Sequence, residues 1–339
     1  MISAVPQQKR RSQLGLTTFP LGFGCVQLTA HSTEAEAVAI LEHAFSLGIT
    51  HFDVARAYGF GRAERILGKF LRGRREHVTV ATKVGLQPPT GLAGNARLIT
   101  AAKRLLGPFP ALLQRAKRRG SMLGKSGLFG PQAVTQSVET SLRELGTDYI
   151  DLLLLHEATL ADAASEPLLE ALEKLVAKGA VRHLGIASEV AKLQGNVAEM
   201  AGLYEVVQFN DDAQTRNLQK LAGRVERLCI THSVFAPVRL LREAVRANPE
   251  IARDGSQQIN ADLSDPAVIA GLFLSCALRS NAEGVVLFSS KNPSHIEANV
   301  REAKASRFND DQLTQFSAFV DRVLSAADQS GLRTNQEIA

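Results

Sequence analysis

Short runs of apolar and β-branched residues alternate along the chain with longer stretches in which apolar residues recur every three or four positions. The first pattern is that of a strand, the second that of an amphipathic helix. The segment 48–68, GITHFDVARAYGFGRAERILG, shows both: Ile49 to Val54 reads as a strand, with helical spacing before it in AEAVAILEHAFSLG and after it in AERILGKFL. HVTVATKVG supplies a strand over Val78 to Val84. PQAVTQSVETSLRELG reads as a helix opened by Pro131 and closed by Gly146. The continuous apolar run Ile150 to Leu155 in YIDLLLLHEA is that of a strand buried on both faces. PLLEALEKLVAKG, LQGNVAEMAG and LQKLAGRVERL then alternate as helices with the strands AVRHLGIAS, YEVVQFN and CITHSVF. DPAVIAGLFLSCALR, EGVVLFSS and NPSHIEANVREAK close the series as helix, strand and helix.

Strands therefore fall near Gly24, Asp53, Lys83, His156, Ser188, Gln208, Thr231 and Ser289, and eight βα units in 339 residues predict a closed (β/α)8 barrel. A doubly wound open sheet is the alternative, but it would more naturally carry an early GxGxxG turn, and GFGRAE at Gly59 to Glu64 has only part of that spacing. A single domain over 1–339 is expected, with its core at about 13–305 and a C-terminal helix and tail at 306–339. The helix within HSTEAEAVAILEHAFSLG is expected to begin at a capping box from Ser32 or Thr33. Two stretches break the rhythm. Residues 86–130 are too long for an ordinary connection and predict a helical excursion, while Pro237 to Ser264 contains the turn-rich NPEIARDGSQQINADLSD. Both are expected at the barrel mouth, as long loops of its C-terminal face.

Composition adds limits. An apolar fraction of 45% is ordinary and sufficient for a sizeable core. Cys25, Cys229 and Cys276 are far apart and odd in number, which implies no disulfide framework and favours a reducing compartment, so cytoplasmic residence is expected. No apolar run follows the basic residues of MISAVPQQKRRSQLG, and no stretch is long enough for a membrane span. The net charge of +5 permits anion binding. Much of the excess, from Arg97 to Lys125, lies in a segment without Asp or Glu. A solvated basic face accounts for it; a nucleic-acid surface is disfavoured because only Phe109 interleaves the cations.

In a barrel the carboxyl ends of the strands converge on one mouth. Asp53, Tyr58, Lys83 and His156 would meet there from three consecutive strands. A phenol has a reference pKa of about 10, which an adjacent ammonium lowers, and a carboxylate keeps that ammonium charged and aimed. A histidine can hydrogen-bond the oxygen of a carbonyl that is gaining charge. Taken singly, Asp53 also reads as a cap or turn residue, Lys83 as a solvated strand end and His156 as a packing histidine; together they read as a site. A metal bound by His51, Asp53 and His156 is a third possibility, but it gives Tyr58 and Lys83 no role, and no metal is expected.

The stretches FDVARAYG, VATKVG and LLLLHEA resemble the catalytic motifs of the aldo-keto reductase family, and the likeness runs from about Gln13 to Lys304. The resemblance implies a (β/α)8 barrel that holds NADPH, or less often NADH, and transfers hydride between it and the carbonyl carbon of an aldehyde, ketone or sugar. It makes Tyr58 the proton donor, Lys83 and Asp53 its tuning pair, and His156 the carbonyl-positioning residue. GLTTFPLGFG resembles the family's N-terminal β-hairpin, which closes the barrel bottom and leads to Gly24 at the cofactor. Gln208 corresponds to the residue that bonds the nicotinamide carboxamide; the usual Ser-Asn pair reads Ala187-Ser188, and His232 stands where a stacking Tyr is usual. Ser289, Ser290 and Lys291 match the segment that binds the adenosine 2'-phosphate, His295 falls where an Arg or Gln is common, and Asn299 matches the Asn facing adenine. A small-molecule carbonyl or alcohol substrate, no nucleic-acid or membrane partner, and a monomer or small homo-oligomer are implied. The altered positions after the fifth and seventh strands leave open a second expectation, a nucleotide-binding regulator or sensor with weak or no turnover.

Overall fold

The computed structural model describes residues 11–16, 19–31, 33–87, 127–193, 202–221 and 227–329. Eight parallel strands pair in chain order around a closed barrel: β1 (Leu21–Gly24), β2 (His51–Asp53), β3 (Thr79–Val84), β4 (Ile150–His156), β5 (Val181–Ala187), β6 (Tyr204–Asn210), β7 (Leu228–His232) and β8 (Val285–Phe288). Closure is made by β1 against β8, with Phe23 opposite Phe288. The register sets Lys83 opposite Leu154 and Ala187 opposite Gln208, so the strand ends that carry polar residues reach the mouth together.

The period of two along each strand divides the core. Ala81, Leu152, Leu154, Val206, Ile230 and Leu287 fill the barrel interior, whereas Val80, Leu153, Leu155, Val207 and Val286 pack into the larger apolar cluster shared with the helices. Gly22 lacks a side chain where a Cβ would come 2.6 Å from Leu287 and 2.8 Å from His51, and this lets both larger groups occupy the interior. Leu14 and Leu16 join the interior cluster from the N-terminal segment.

The β-hairpin expected here falls partly outside the described residues, which lack 1–10, 17 and 18. Arg11–Leu14 is a 3-10 turn, and among the described residues no strand precedes β1. Within it Gly15 N bonds Ser12 O and Leu16 N bonds Arg11 O. Leu14 and Leu16 pack against the interior residues, and the Arg11 guanidinium is bonded to the carbonyls of Ala282 and Gly284.

The longer helices among the described residues are α1 (Glu34–Ser46), α2 (Arg62–Leu71), α3 (Pro131–Leu145), α4 (Glu166–Ala177), α5 (Val238–Ala247), α6 (Pro249–Ile259), α7 (Pro266–Ser280), α8 (Pro293–Lys304) and α9 (Asp310–Gln329). Thr33 makes the capping box of α1 with Glu36. The helical excursion expected within 86–130, including the basic stretch, falls at 88–126 outside the described residues.

The turn-rich stretch is a correction. NPEIARDGSQQI is helical, because Asn248 caps the amides of Glu250 and Ile251 and Pro249 occupies the first turn. Gly255 is accommodated because a Cβ there would collide with the Phe319 ring. Helices α5, α6 and α7 meet α9 in a separate apolar cluster that includes Leu241, Ile259, Phe273, Phe316 and Phe319. Phe273 and Phe316 pack edge to face at 4.9 Å. The C-terminal helix is therefore held mainly on the outside of the barrel, and Arg216 in the loop after β6 ties to it through Asp321 and the Ser317 carbonyl. Among the described residues, no helix is long and apolar enough to cross a membrane.

Candidate active site

Asp53 and Lys83 end up side by side at the mouth, from β2 and β3. The Lys83 ammonium donates to Asp53 Oδ1 at 2.5 Å and to the Val54 carbonyl at 3.1 Å. Gln208 reaches across from β6 and donates through Nε2 to Asp53 Oδ2 at 2.8 Å. Exposure of 2% for Lys83 and 3% for both Asp53 and Gln208 means that this charge pair is shielded from solvent. Its attraction is therefore stronger than that of a surface pair.

Tyr58 is presented to the pair by the loop after β2. Gly59, Phe60 and Gly61 are consecutive left-handed residues, at φ 57, 59 and 84°. At position 59 glycine is required twice, by its φ and because a Cβ would collide with Thr29. The Lys83 ammonium lies 5.2 Å from the Tyr58 ring centroid, and the His156 ring meets Tyr58 edge-on with centroids 6.2 Å apart. Both rings are half-buried.

The electrostatics correct one expectation. Burial raises the Tyr58 phenol above its ordinary pKa of 10.0; the Lys83 charge and hydrogen bond pull it back, but Asp53 and Cys25 oppose them. The net shift is upward because loss of water outweighs an ammonium already shared with a carboxylate. Burial alone would lower Lys83, yet the Asp53 charge, Tyr58 and the hydrogen bonds to both raise it, so the side chain stays an ammonium. Burial and then the Lys83 charge draw His156 down to about 3, so the imidazole is neutral near neutral pH and offers one donor and one acceptor. His232, at the end of β7, is also lowered by burial and lies within reach of the Asp53 and Lys83 charges. Its Nδ1 is 2.8 Å from the hydroxyl of Ser233, whose φ of 65° is left-handed.

The other expected residues line the rim between β5 and β8. Ser188 donates from Oγ to the Ala158 carbonyl at 2.7 Å, while its backbone N–H bonds Gln208 O at 3.1 Å. Gly24 ends β1 against β8; a Cβ on it would be 3.8 Å from Ser289 Cβ. The cap of α8 is Asn292, which accepts from Ser294 N at 3.0 Å, and Ser290 Oγ accepts from Asn292 N at 3.1 Å. Ser289 is thereby relieved of any capping duty, and its buried Oγ finds no hydrogen-bond partner among the described residues. Lys291 and His295 are exposed, and Asn299 is half-buried one turn further along α8.

Five neighbours were missed from sequence: Cys25, His31, Arg56, Glu64 and Thr82. Cys25 is buried within reach of Asp53 and Lys83, and His31 lies within reach of the Lys291 charge. Fully buried Glu64 accepts from Arg56 and from Thr82, each at 2.7 Å. In sequence Glu64 is an acidic residue in a first helical turn, a common placement with no chemical signature. His51 bonds Thr79 through Nδ1 at 2.9 Å, and among the described residues no group of three or more His, Cys, Asp or Glu is arranged to hold an ion.

Residues 20–321 match the model of the Aldo/keto reductase family. Among curated proteins, the chain is 31% identical over 182 residues to an uncharacterized oxidoreductase of Bacillus subtilis, covering 53% of this chain and 49% of that protein. It is 33% identical over 195 residues to a D-threo-aldose 1-dehydrogenase of Pseudomonas sp, covering 52% of each. The chain thus spans about half the length of the curated relatives it matches. Among solved structures, an aldo-keto reductase from Klebsiella pneumoniae in complex with NADPH superposes with a TM-score of 0.64 at 20% identity, covering 93% of this chain and 96% of that one. A glycerol dehydrogenase from Gluconobacter oxydans superposes with a TM-score of 0.68 at 18% identity, covering 95% and 97%. At these identities the structural likeness is one of fold.

Proposed function

The chain belongs to the aldo/keto reductase family, and from that premise we propose that it transfers hydride between NADP(H) and the carbonyl carbon of an aldehyde, ketone or sugar, with Tyr58 as general acid or base. The observation that carries the reading is the buried Asp53–Lys83 pair beside the phenol of Tyr58, with a neutral histidine edge-on to the same ring. When bound, the cofactor supplies or accepts the hydride. The remaining chemistry belongs to this chain. As the carbonyl oxygen gains charge, neutral His156 donates a hydrogen bond to it, and Tyr58 delivers its proton. Lys83 then stabilises the phenolate left behind, while Asp53 keeps the ammonium charged and aimed. Because Tyr58 lies above its ordinary pKa, the acid is loaded for reduction across the neutral range. Alcohol oxidation needs the phenolate and should quicken as the solution becomes more alkaline. Net direction is set by substrate levels.

A dinucleotide fits the rim. With its Nε2 on Asp53, Gln208 has Oε1 free to accept from the carboxamide N–H, and Ser188 can accept there as well. His232 would lie against the ring, and Gly24 would admit the cofactor backbone. The partnerless Ser289 hydroxyl, Ser290 and Lys291 would take the 2'-phosphate, with His295 and Asn299 at the adenine end. The Klebsiella relative in complex with NADPH supports the choice of NADP(H) over NAD(H). Cytoplasmic residence, a small-molecule substrate and a monomer or small homo-oligomer complete the proposal, the first supported by three free, buried thiols. The regulator alternative draws on Ala187, which offers no side-chain hydrogen bond where the family pattern has one. Titration with NADPH and NADH, followed by a panel of aldehydes, ketones and sugars, separates the two: binding with turnover supports the reductase, and binding without turnover the regulator.

A further inference from the structure

We propose that Arg56, Glu64 and Thr82 form a brace that sets the Tyr58 hydroxyl against Lys83, so that the proton step depends on a carboxylate on the far side of the barrel wall. The inference rests on the reading of Tyr58 as the acid. Its parts are unusually costly for packing alone. Glu64 and Thr82 are both 0% exposed, and a buried carboxylate is tolerated only with partners for its charge. Glu64 has them: Oε2 accepts from the Arg56 guanidinium and Oε1 from the Thr82 hydroxyl, both at 2.7 Å.

What those bonds join matters more than their number. Arg56 lies two residues before Tyr58, and Glu64 lies just beyond the left-handed run Gly59, Phe60 and Gly61. The ion pair therefore clasps the two ends of the loop that carries the phenol. Phe60, a bulky residue at φ 59°, would relax toward right-handed conformations if the clasp opened, and Tyr58 would move with it. Thr82 attaches the clasp to β3 and immediately precedes Lys83, whose side chain emerges on the opposite face of the strand. One set of outward-facing bonds thus fixes the loop bearing the acid relative to the strand bearing its ammonium. These three are positioning residues; none touches the reacting atoms.

The test uses Glu64→Gln, which keeps the shape and removes the charge, and Thr82→Val, which removes only a hydroxyl and serves if the first variant folds poorly. The chain has only three tyrosines, so ultraviolet difference titration can isolate the Tyr58 phenol by subtracting a Tyr58→Phe blank. In both variants that titration should move upward, as the phenol loses its fixed approach to Lys83 with Asp53, Cys25 and His156 still around it. At saturating NADPH, kcat for carbonyl reduction should fall roughly 10-fold in Glu64→Gln and about 3-fold in Thr82→Val, with KM for the carbonyl nearly unchanged. Arg56→Lys should retain more kcat than Arg56→Met. An unmoved phenol titration and an unmoved pH profile of kcat in both variants, whatever happens to melting temperature, would reduce the brace to a structural staple and overturn the proposal. If the wild-type protein binds NADPH but reduces nothing, the hydride reading fails while the phenol titration still decides whether the brace exists.

Discussion

At the N-terminal end of the barrel, the Tyr149 ring lies between two guanidinium groups, Arg75 and Arg182, each 3.8 Å from its centroid. Both arginines also pair with Asp151, at 2.7 and 2.8 Å, and the backbone N–H of Val80 bonds the same carboxylate at 2.9 Å. At the C-terminal end, the Asp53–Lys83 pair is buried more completely, yet the groups around it are strained or unmet. Phe60, Glu157, Arg216 and Ser233, in the loops after β2, β4, β6 and β7, are left-handed; among the described non-glycine residues only Asn260 shares that conformation elsewhere. Ser289 Oγ has no hydrogen-bond partner among the described residues. One end uses charge to join neighbouring strands, and the other holds charge, strain and a free hydroxyl where ligands arrive. Such strain persists only where the surrounding fold enforces it, and in barrels of this type the chemistry gathers at that end.

If this division holds, substitutions at the two ends should separate stability from activity. Asp151→Ala should have the largest effect, a loss of about 3 kcal/mol in unfolding free energy, because Arg75 is left largely buried without its carboxylate. Urea denaturation measures it, and the specific activity of the folded enzyme at low denaturant should stay near that of the wild type. Tyr58→Phe should do the reverse. Carbonyl reduction followed by NADPH absorbance should fall by roughly 100-fold, with the urea midpoint unchanged. Equal losses of stability in both variants would dissolve the comparison.

The buried histidines sharpen it along the pH axis. Burial lowers His51 to about 4 and His156 to about 3, both below the ordinary 6.5. An unfolded chain therefore binds protons that the folded chain refuses between those values. Their contribution to stability is complete above pH 6.5 and is lost as the pH falls toward 4 and then 3. His51→Gln should flatten the stability slope between pH 6.5 and 4 by about 1.4 kcal/mol per pH unit, read from urea midpoints in a pH series. An unchanged slope would mean that His51 titrates normally in the folded protein. The smallest effect belongs to exposed Lys291: Lys291→Ala should weaken NADPH by about 5-fold and NADH hardly at all, and equal weakening of both in a fluorescence titration would remove the 2'-phosphate from this residue.

Much of the fold was legible because strands and helices write their periods into neighbouring residues. The run Ile150 to Leu155 could serve only as a strand covered on both faces, and it became β4. Asp53, Lys83 and His156 were legible as strand-end polar residues, and the register brings all three to one mouth with Tyr58. Where the same residue types serve two purposes, local reading failed. Asn, Pro and Gly in NPEIARDG mark a turn or cap a helix equally well, and the choice fell to Phe319, which packs from α9 against the helix at Gly255.

The sequence by itself determined the alternation of eight strands with helices, the order in which they close and which residues stand at the strand ends, because backbone geometry imposes periods of two and 3.6 on any chain that buries one face. Only the tertiary structure decided that Leu14 and Leu16 join the barrel interior, that Gln208 bonds Asp53, and that Tyr58 is raised rather than lowered. It also decided that Glu64 lies buried between Arg56 and Thr82. These outcomes depend on water exclusion and on partners brought together from distant parts of the chain. A hydrogen bond between residues 53 and 208 leaves no periodic trace in the residues around either one.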